Sequence, residues 1–220
     1  MNERDYHEYF IKDGRHVGRY EEMYRHCPDP WHIEALGARL DMAAALLLLT
    51  GRGGGVRRFL DIGAGLGLFT GLLTETLWRE NPEARGLVTD VSPSAINRAA
   101  QRLADPRLDF MPLDARELPD SQDESLRDFD LIVMAQVLWG LLENLDETLA
   151  ALAARLGPGG LLLISQHFPG AERQSYGAET VASPEDLALR LRRAGFEILN
   201  TLETNRSSNH HWAALAEKKK

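Results

Sequence analysis

The run Phe59-Leu60-Asp61-Ile62-Gly63-Ala64-Gly65-Leu66-Gly67 constrains this chain more than any other stretch. A short apolar segment ends there in alternating glycines and gives way to a helical pattern, which reads as strand, tight turn, helix. Glycine reaches backbone angles that other residues avoid and lets a ligand lie against bare backbone. The helix that follows offers free N–H groups and the positive end of its dipole. A nucleotide-like ligand is expected at this turn, against the plainer alternative of a tight turn that binds nothing.

The rest of the chain supplies a framework for such a turn. With 220 residues, 44% of them hydrophobic and 26% charged, it suits one domain with a sizeable core. Residues 1–33 interleave Tyr6, Tyr9, Phe10, Tyr20, Met23, Tyr24 and Trp31 with charges and histidines and lack a core period. They are expected to form a lid and acceptor-binding segment ahead of a ligand-binding domain over 34–217, with a frayed basic tail at 218–220. A helix is expected from near His32 to Leu49, closed by the Gly51 to Gly55 linker. Further helices are expected over Leu68 to Arg79, Ser94 to Leu103 with Ser92 as N-cap and Pro93 at N1, Asp146 to Leu156 with Gly157 as C-cap, and from Ser183 to Gly195. Strands are expected at Gly86 to Asp90, Asp109 to Pro112, Phe129 to Ala135 and Leu161 to Ser165. Two closing strands, Phe196 to Leu202 and His210 to Leu215, are joined by a polar loop over Glu203 to Asn209, too short for a crossover, so they pair antiparallel. This alternation predicts an α/β fold, a doubly wound, seven-stranded, mostly parallel Rossmann-like sheet with a reversed C-terminal hairpin and helices on both faces.

Composition narrows the partners. A net charge of −8 opposes nucleic acid, whose binding needs clustered Lys and Arg. Ala43 to Leu49 is too short to span a bilayer and reads as a buried helix, and no secretory h-region is present, so no membrane partner and a cytoplasmic setting are expected. The lone Cys27 cannot form an internal disulfide. A small-molecule acceptor is the expected partner, a homodimer is left open, and no metal is expected.

In an open α/β sheet, ligands sit beyond the carboxyl ends of the strands. Asp90 ends the second strand, where its carboxylate can accept ribose hydroxyls, or else caps the Ser92 turn. His167 follows the fifth strand and His210 opens the last, so each is a candidate general base. Trp139 is either core or an aromatic face near a cationic ligand.

A dinucleotide fingerprint needs glycine or alanine at the sixth place of G-x-G-x-x-G, and that place is Leu68. The pattern Asp61-x-Gly63-x-Gly65-x-Gly67 instead resembles motif I of the class I S-adenosylmethionine (SAM) dependent methyltransferases. The resemblance spans about Ile33 to Glu217 and implies SAM as cofactor. It implies contacts from Asp61, Gly63, Ala64, Gly65 and Gly67, from Asp90 and Val91 at the ribose, from Asp114 and Ala115 at the adenine amino group, and from Ala135 near the methionine part. It puts Gln136 and Trp139 between donor and acceptor, Gln136 being a catalytic candidate beside the two histidines. Asp29-Pro30-Trp31, Asp130-Leu131-Ile132-Val133 with Val137-Leu138, and Gly177-Ala178-Glu179-Thr180-Val181 look like the nodulation S (NodS) family, which N-methylates a glucosamine unit of a chitooligosaccharide. The implied function is methyl transfer to nitrogen of an amino sugar or similar small molecule. O-methylation of a hydroxylated natural product or sugar, and SAM binding without catalysis, are the alternatives. Tyr20, Tyr24, Trp31, Trp139, Glu179 and Asn209 are the expected acceptor contacts.

Overall fold

A computed structural model describes residues 9–12, 15–169, 176–206 and 209–219. Its centre is a seven-stranded sheet of β1 (Arg58–Ile62), β2 (Arg85–Asp90), β3 (Leu108–Pro112), β4 (Phe129–Ala135), β5 (Leu156–Pro169), β6 (Phe196–Arg206) and β7 (Asn209–Lys218). The strand order is β3-β2-β1-β4-β5-β7-β6. β1 to β5 pair in parallel, whereas β7 lies antiparallel between β5 and β6. The expected fold is therefore the observed one.

The period of a strand sorts the core onto two faces. Leu60 and Ile62 of β1 join Ile132 and Met134 of β4 in a cluster with α5 (Leu145–Arg155) and α6 (Pro184–Arg193). Phe59 of β1 joins Leu131 and Val133 of β4 in a second cluster, with α2 (Leu36–Leu46) and α3 (Leu68–Glu80). A third cluster is separate from both: Tyr9, Met23, Tyr24 and Cys27 pack on Leu66 and Ala95. It seats α1 (Tyr20–His26) on α4 (Pro93–Leu103).

Several local expectations need correction. The helix expected from His32 begins at Leu36, after His32 itself takes φ +50°. It is not buried all round, since Leu40 and Leu47 are exposed. Gly157 does not cap α5: Leu156 is already extended and opens β5, because pairing with β4 takes over one residue past Arg155. Most of the polar loop expected over Glu203 to Asn209 is strand, because β6 and β7 continue their register through Arg206 and Asn209. The tail starts later than expected: Lys218 still belongs to β7, and its Nζ donates to the Leu156 carbonyl at 2.6 Å. Among the described residues, no helix is long and apolar enough to cross a membrane.

Candidate active site

The carboxyl ends of β1, β2, β4 and β5 surround a cavity of about 360 Å³, within the range of small-molecule sites. Its floor is the glycine turn. Gly63 and Gly65 take φ of +68° and +55°, and a side chain there would stand 2.5 Å from Val137 or 2.7 Å from the Tyr24 hydroxyl. Only glycine lets the turn pass so close beneath the N-terminal segment.

Two buried carboxylates face this floor. Thr70 Oγ1 donates to Asp61 at 2.6 Å. The Gly65 and Ser92 amides each donate to Asp90 at 2.9 Å, so Asp90 both braces the loop and caps the turn. Burial pushes Asp61 up to about 7, against the Thr70 hydrogen bond and with help from the Asp90 charge. Burial likewise pushes Asp90 up to about 6, against its two amide donors. Such acceptor-rich, poorly solvated groups favour a ligand that brings a cation and hydroxyl donors. The α-ammonium, sulfonium and ribose diol of SAM provide that set, and the residues present fit it.

Further along the rim, burial works to raise Asp114, but the Arg116 guanidinium, at 2.9 and 3.0 Å through Nε, outweighs it and holds the carboxyl below its usual range. Val91, Ala115 and Ala135 also line the cavity, whereas Gly67 lies outside it as the N-cap of α3. Tyr20, Tyr24 and Trp31 line it from the N-terminal side, with Trp31 Nε1 donating to the Tyr24 hydroxyl at 3.0 Å. These rings are fastened through α1. Glu21 accepts from the Ser92 hydroxyl at 2.6 Å and from the amide and hydroxyl of Ser94 at 3.0 and 2.7 Å. Arg98 reaches the Tyr24 and Cys27 carbonyls, each at 3.1 Å. Cys27 is a packing residue in the third cluster.

The opposite wall is built from imidazole and carboxylate. His167 Nε2 lies 3.1 Å from Asp41 Oδ2, Thr204 Oγ1 donates to Asp41 Oδ1 at 3.1 Å, and Ser165 Oγ lies 2.8 Å from His211 Nε2. Gln136 takes φ +61°, and its Oε1 accepts from the His167 amide at 3.0 Å. Trp139 lines the cavity and also meets Phe168 edge to face, with ring centroids 6.0 Å apart.

Besides Gly67, three sequence candidates are placed elsewhere or not at all. His210 points to the other sheet face, against Glu203 at 3.1 Å and Phe168, and does not line the cavity. Its neighbour His211 is buried on the opposite face, behind the cavity lining and toward Asp41, because successive strand residues alternate. Glu179 is exposed and away from the cavity lining, since the turn around Gly177 carries it outward. The Asn209 side chain lies outside the described residues. Asp41, Ser165, His211 and Arg116 join the site without a local motif that marks them. For His211 the signal was available in the alternation His210, His211, Trp212, Ala213, where an apolar residue at 213 marks the α2 face.

Residues 60–162 match a family model described as a methyltransferase domain. The chain is 32% identical over 160 residues to Nodulation protein S of Rhizobium tropici, covering 70% of this chain and 62% of that one. It is 33% identical over 109 residues to a lovastatin diketide synthase of Aspergillus terreus, spanning 49% of this chain and only 4% of the synthase. Among solved structures it is similar to the N-methyltransferase NodS from Bradyrhizobium japonicum in complex with S-adenosyl-l-homocysteine. That match has a TM-score of 0.73 and 24% identity, over 92% of this chain and 98% of the other. In its sheet order, its glycine turn and these matches, the chain is similar to the class I SAM-dependent methyltransferases, the NodS proteins among them, and it spans less than two thirds of these curated relatives' length.

Proposed function

We propose that the chain transfers the methyl group of SAM by in-line displacement to a nitrogen of an amino sugar or similar small molecule. The observation that carries this reading is a single cavity with two ends. Buried carboxylates and bare backbone lie at the β1 and β2 end, and Trp139 with an imidazole wall lies at the β4 and β5 end. SAM brings an already activated methyl group. The chain has to hold, align and desolvate. Gly63 and Gly65 give the donor its backbone floor, Asp90 takes the ribose, and Asp114 with Ala115 takes the adenine end. Ala135, Gln136 and Trp139 border the space between donor and acceptor, while Tyr20, Tyr24 and Trp31 form a cover that closes over both and excludes water. A neutral amine carries its own lone pair, so no strong base is needed. The NodS proteins among the relatives support nitrogen as the target.

The Asp41–His167 contact favours a second reading, O-methylation with His167 as the proton acceptor. Incubation with SAM and matched acceptors that differ only in amine or hydroxyl, with S-adenosylhomocysteine release and product mass spectrometry as readouts, separates the two. The N-methyl reading expects turnover of glucosamine-type amines and none of their N-acetyl or purely hydroxylated counterparts. Turnover confined to hydroxyl acceptors contradicts it.

A further inference from the structure

Asp41 on α2, His167 on β5 and His211 on β7 come from distant parts of the chain and meet at one wall of the cavity. One ligating atom from each falls within 4.8 Å of the others. Asp41 Oδ2 lies 3.1 Å from His167 Nε2, and Asp41 Oδ1 lies 3.9 Å from His211 Nδ1. Ligands held at about 2.0 to 2.2 Å around a tetrahedral zinc ion stand roughly 3.3 Å apart. Side-chain shifts on the order of an ångström therefore bring the three donors to that spacing.

The surroundings have the form of an outer shell. Ser165 Oγ lies 2.8 Å from His211 Nε2, which turns Nδ1 toward Asp41. Thr204 Oγ1 donates to Asp41 Oδ1 at 3.1 Å and fixes the carboxylate. Partners of this kind orient metal-bound imidazoles and carboxylates. Asp41 and His211 are buried, which gives an incoming divalent ion little competition from water. Two imidazoles and one carboxylate suit zinc or a similar borderline metal rather than magnesium or calcium, which demand more oxygens. Asp41, Ser165 and His167 all line the cavity, so a fourth position would face the acceptor space.

We propose that Asp41, His167 and His211 form a zinc site whose open position takes water or an oxygen of the acceptor. This departs from the metal-free expectation of the sequence and goes beyond the methyl-transfer reading without resting on it. A metal on His167 occupies the lone pair that a proton acceptor needs, so the site excludes the base assigned to that residue in the O-methylation reading.

The test is titration of the chelator-stripped full-length chain with zinc against a chromophoric chelator, together with cobalt(II) absorption spectra. One equivalent of metal should bind, cobalt should show the visible bands of a low-coordinate nitrogen and oxygen site, and both Asp41→Asn and His167→Ala should abolish binding. Ser165→Ala should weaken it ~10- to 100-fold. Retained S-adenosylhomocysteine affinity and an unchanged melting profile certify the variants as folded. Should the variants misfold, imidazole nitrogen spectra of the wild type decide, because zinc has to shift the ring signals of two histidines. Absence of stoichiometric binding, binding that both variants retain, or unmoved imidazole signals would overturn the site and leave Asp41–His167 as a hydrogen-bonded pair.

Discussion

Asp61 and Asp90 carry the electrostatics of the donor end, and their response to pH follows from burial. An ordinary aspartate titrates at 3.8, whereas these are pushed up to about 7 and about 6. In the apo chain the raised values contribute stability that is present below pH 3.8 and lost as pH rises through 6 to 7. A cationic ligand reverses the preference, since its ammonium favours the charged carboxylates. Affinity for S-adenosylhomocysteine should therefore increase between about pH 5 and 8, and Asp61→Asn should flatten that rise. Calorimetry across this range checks both. Replacing Asp90 by Ala should weaken the same ligand by about 1.5 to 3 kcal/mol, the value of charged hydrogen bonds to a ribose. Loss of the Gly65 brace adds to the effect.

Between neighbouring elements, the N-terminal cover is the part whose role depends most on packing. Its cluster around Met23 and Tyr24 is separate from the two clusters that hold the sheet. A chain beginning at Ile33 should therefore stay folded and bind S-adenosylhomocysteine but lose turnover, and ligand should slow proteolysis of the intact segment. Full activity of the truncated chain on its acceptor would contradict the cover. Burial works to raise the Glu21 carboxyl, yet its bonds from Ser92 and Ser94 bring it down to about 2. The stability it adds is present above its ordinary value of 4.5 and is lost as pH falls toward 2. Glu21→Ala should cost about 1 kcal/mol, since the side chain is 33% exposed, and should speed cleavage within residues 15–33.

The same scale explains what was legible in the sequence. The glycine turn, Asp90 and Asp114 lie at strand ends, and the two carboxylates accept from the amides two residues on at Ser92 and Arg116, so local spacing marks their positions, although the Asp90 brace on Gly65 spans 25 residues. Ser92 with Pro93 declared the start of α4 for the same reason, as the Ala95 amide at 3.1 Å from the Ser92 hydroxyl shows. The wall opposite was not legible, because it needs α2, β5 and β7 to meet, and no local pattern links Asp41 to His167 or His211. His210 attracts attention by its place at the start of the last strand, but the face of a strand residue is set by alternation, which puts His210 and His211 on opposite sides. Gly157 resembles a cap because local propensity at a helix end carries no trace of the pairing between Leu156 and Phe129 that opens β5.

At the scale of the molecule, the order β3-β2-β1-β4-β5-β7-β6 puts β1 beside both β2 and β4. The chain runs outward from β1 through β2 to β3 and then crosses back to β4 on the other side of β1, and a crevice opens where the strand order reverses. The donor carboxylates stand on one side of that crevice and the imidazole wall on the other, so one chain can hold two reactants edge to edge. This crevice suits SAM rather than a dinucleotide. Titration calorimetry of the wild type and the Asp90→Ala variant with S-adenosylhomocysteine and with NAD tests it most directly. One equivalent of S-adenosylhomocysteine should bind, more weakly in the variant, with no heat from NAD, whereas tight NAD binding without S-adenosylhomocysteine binding would contradict the account.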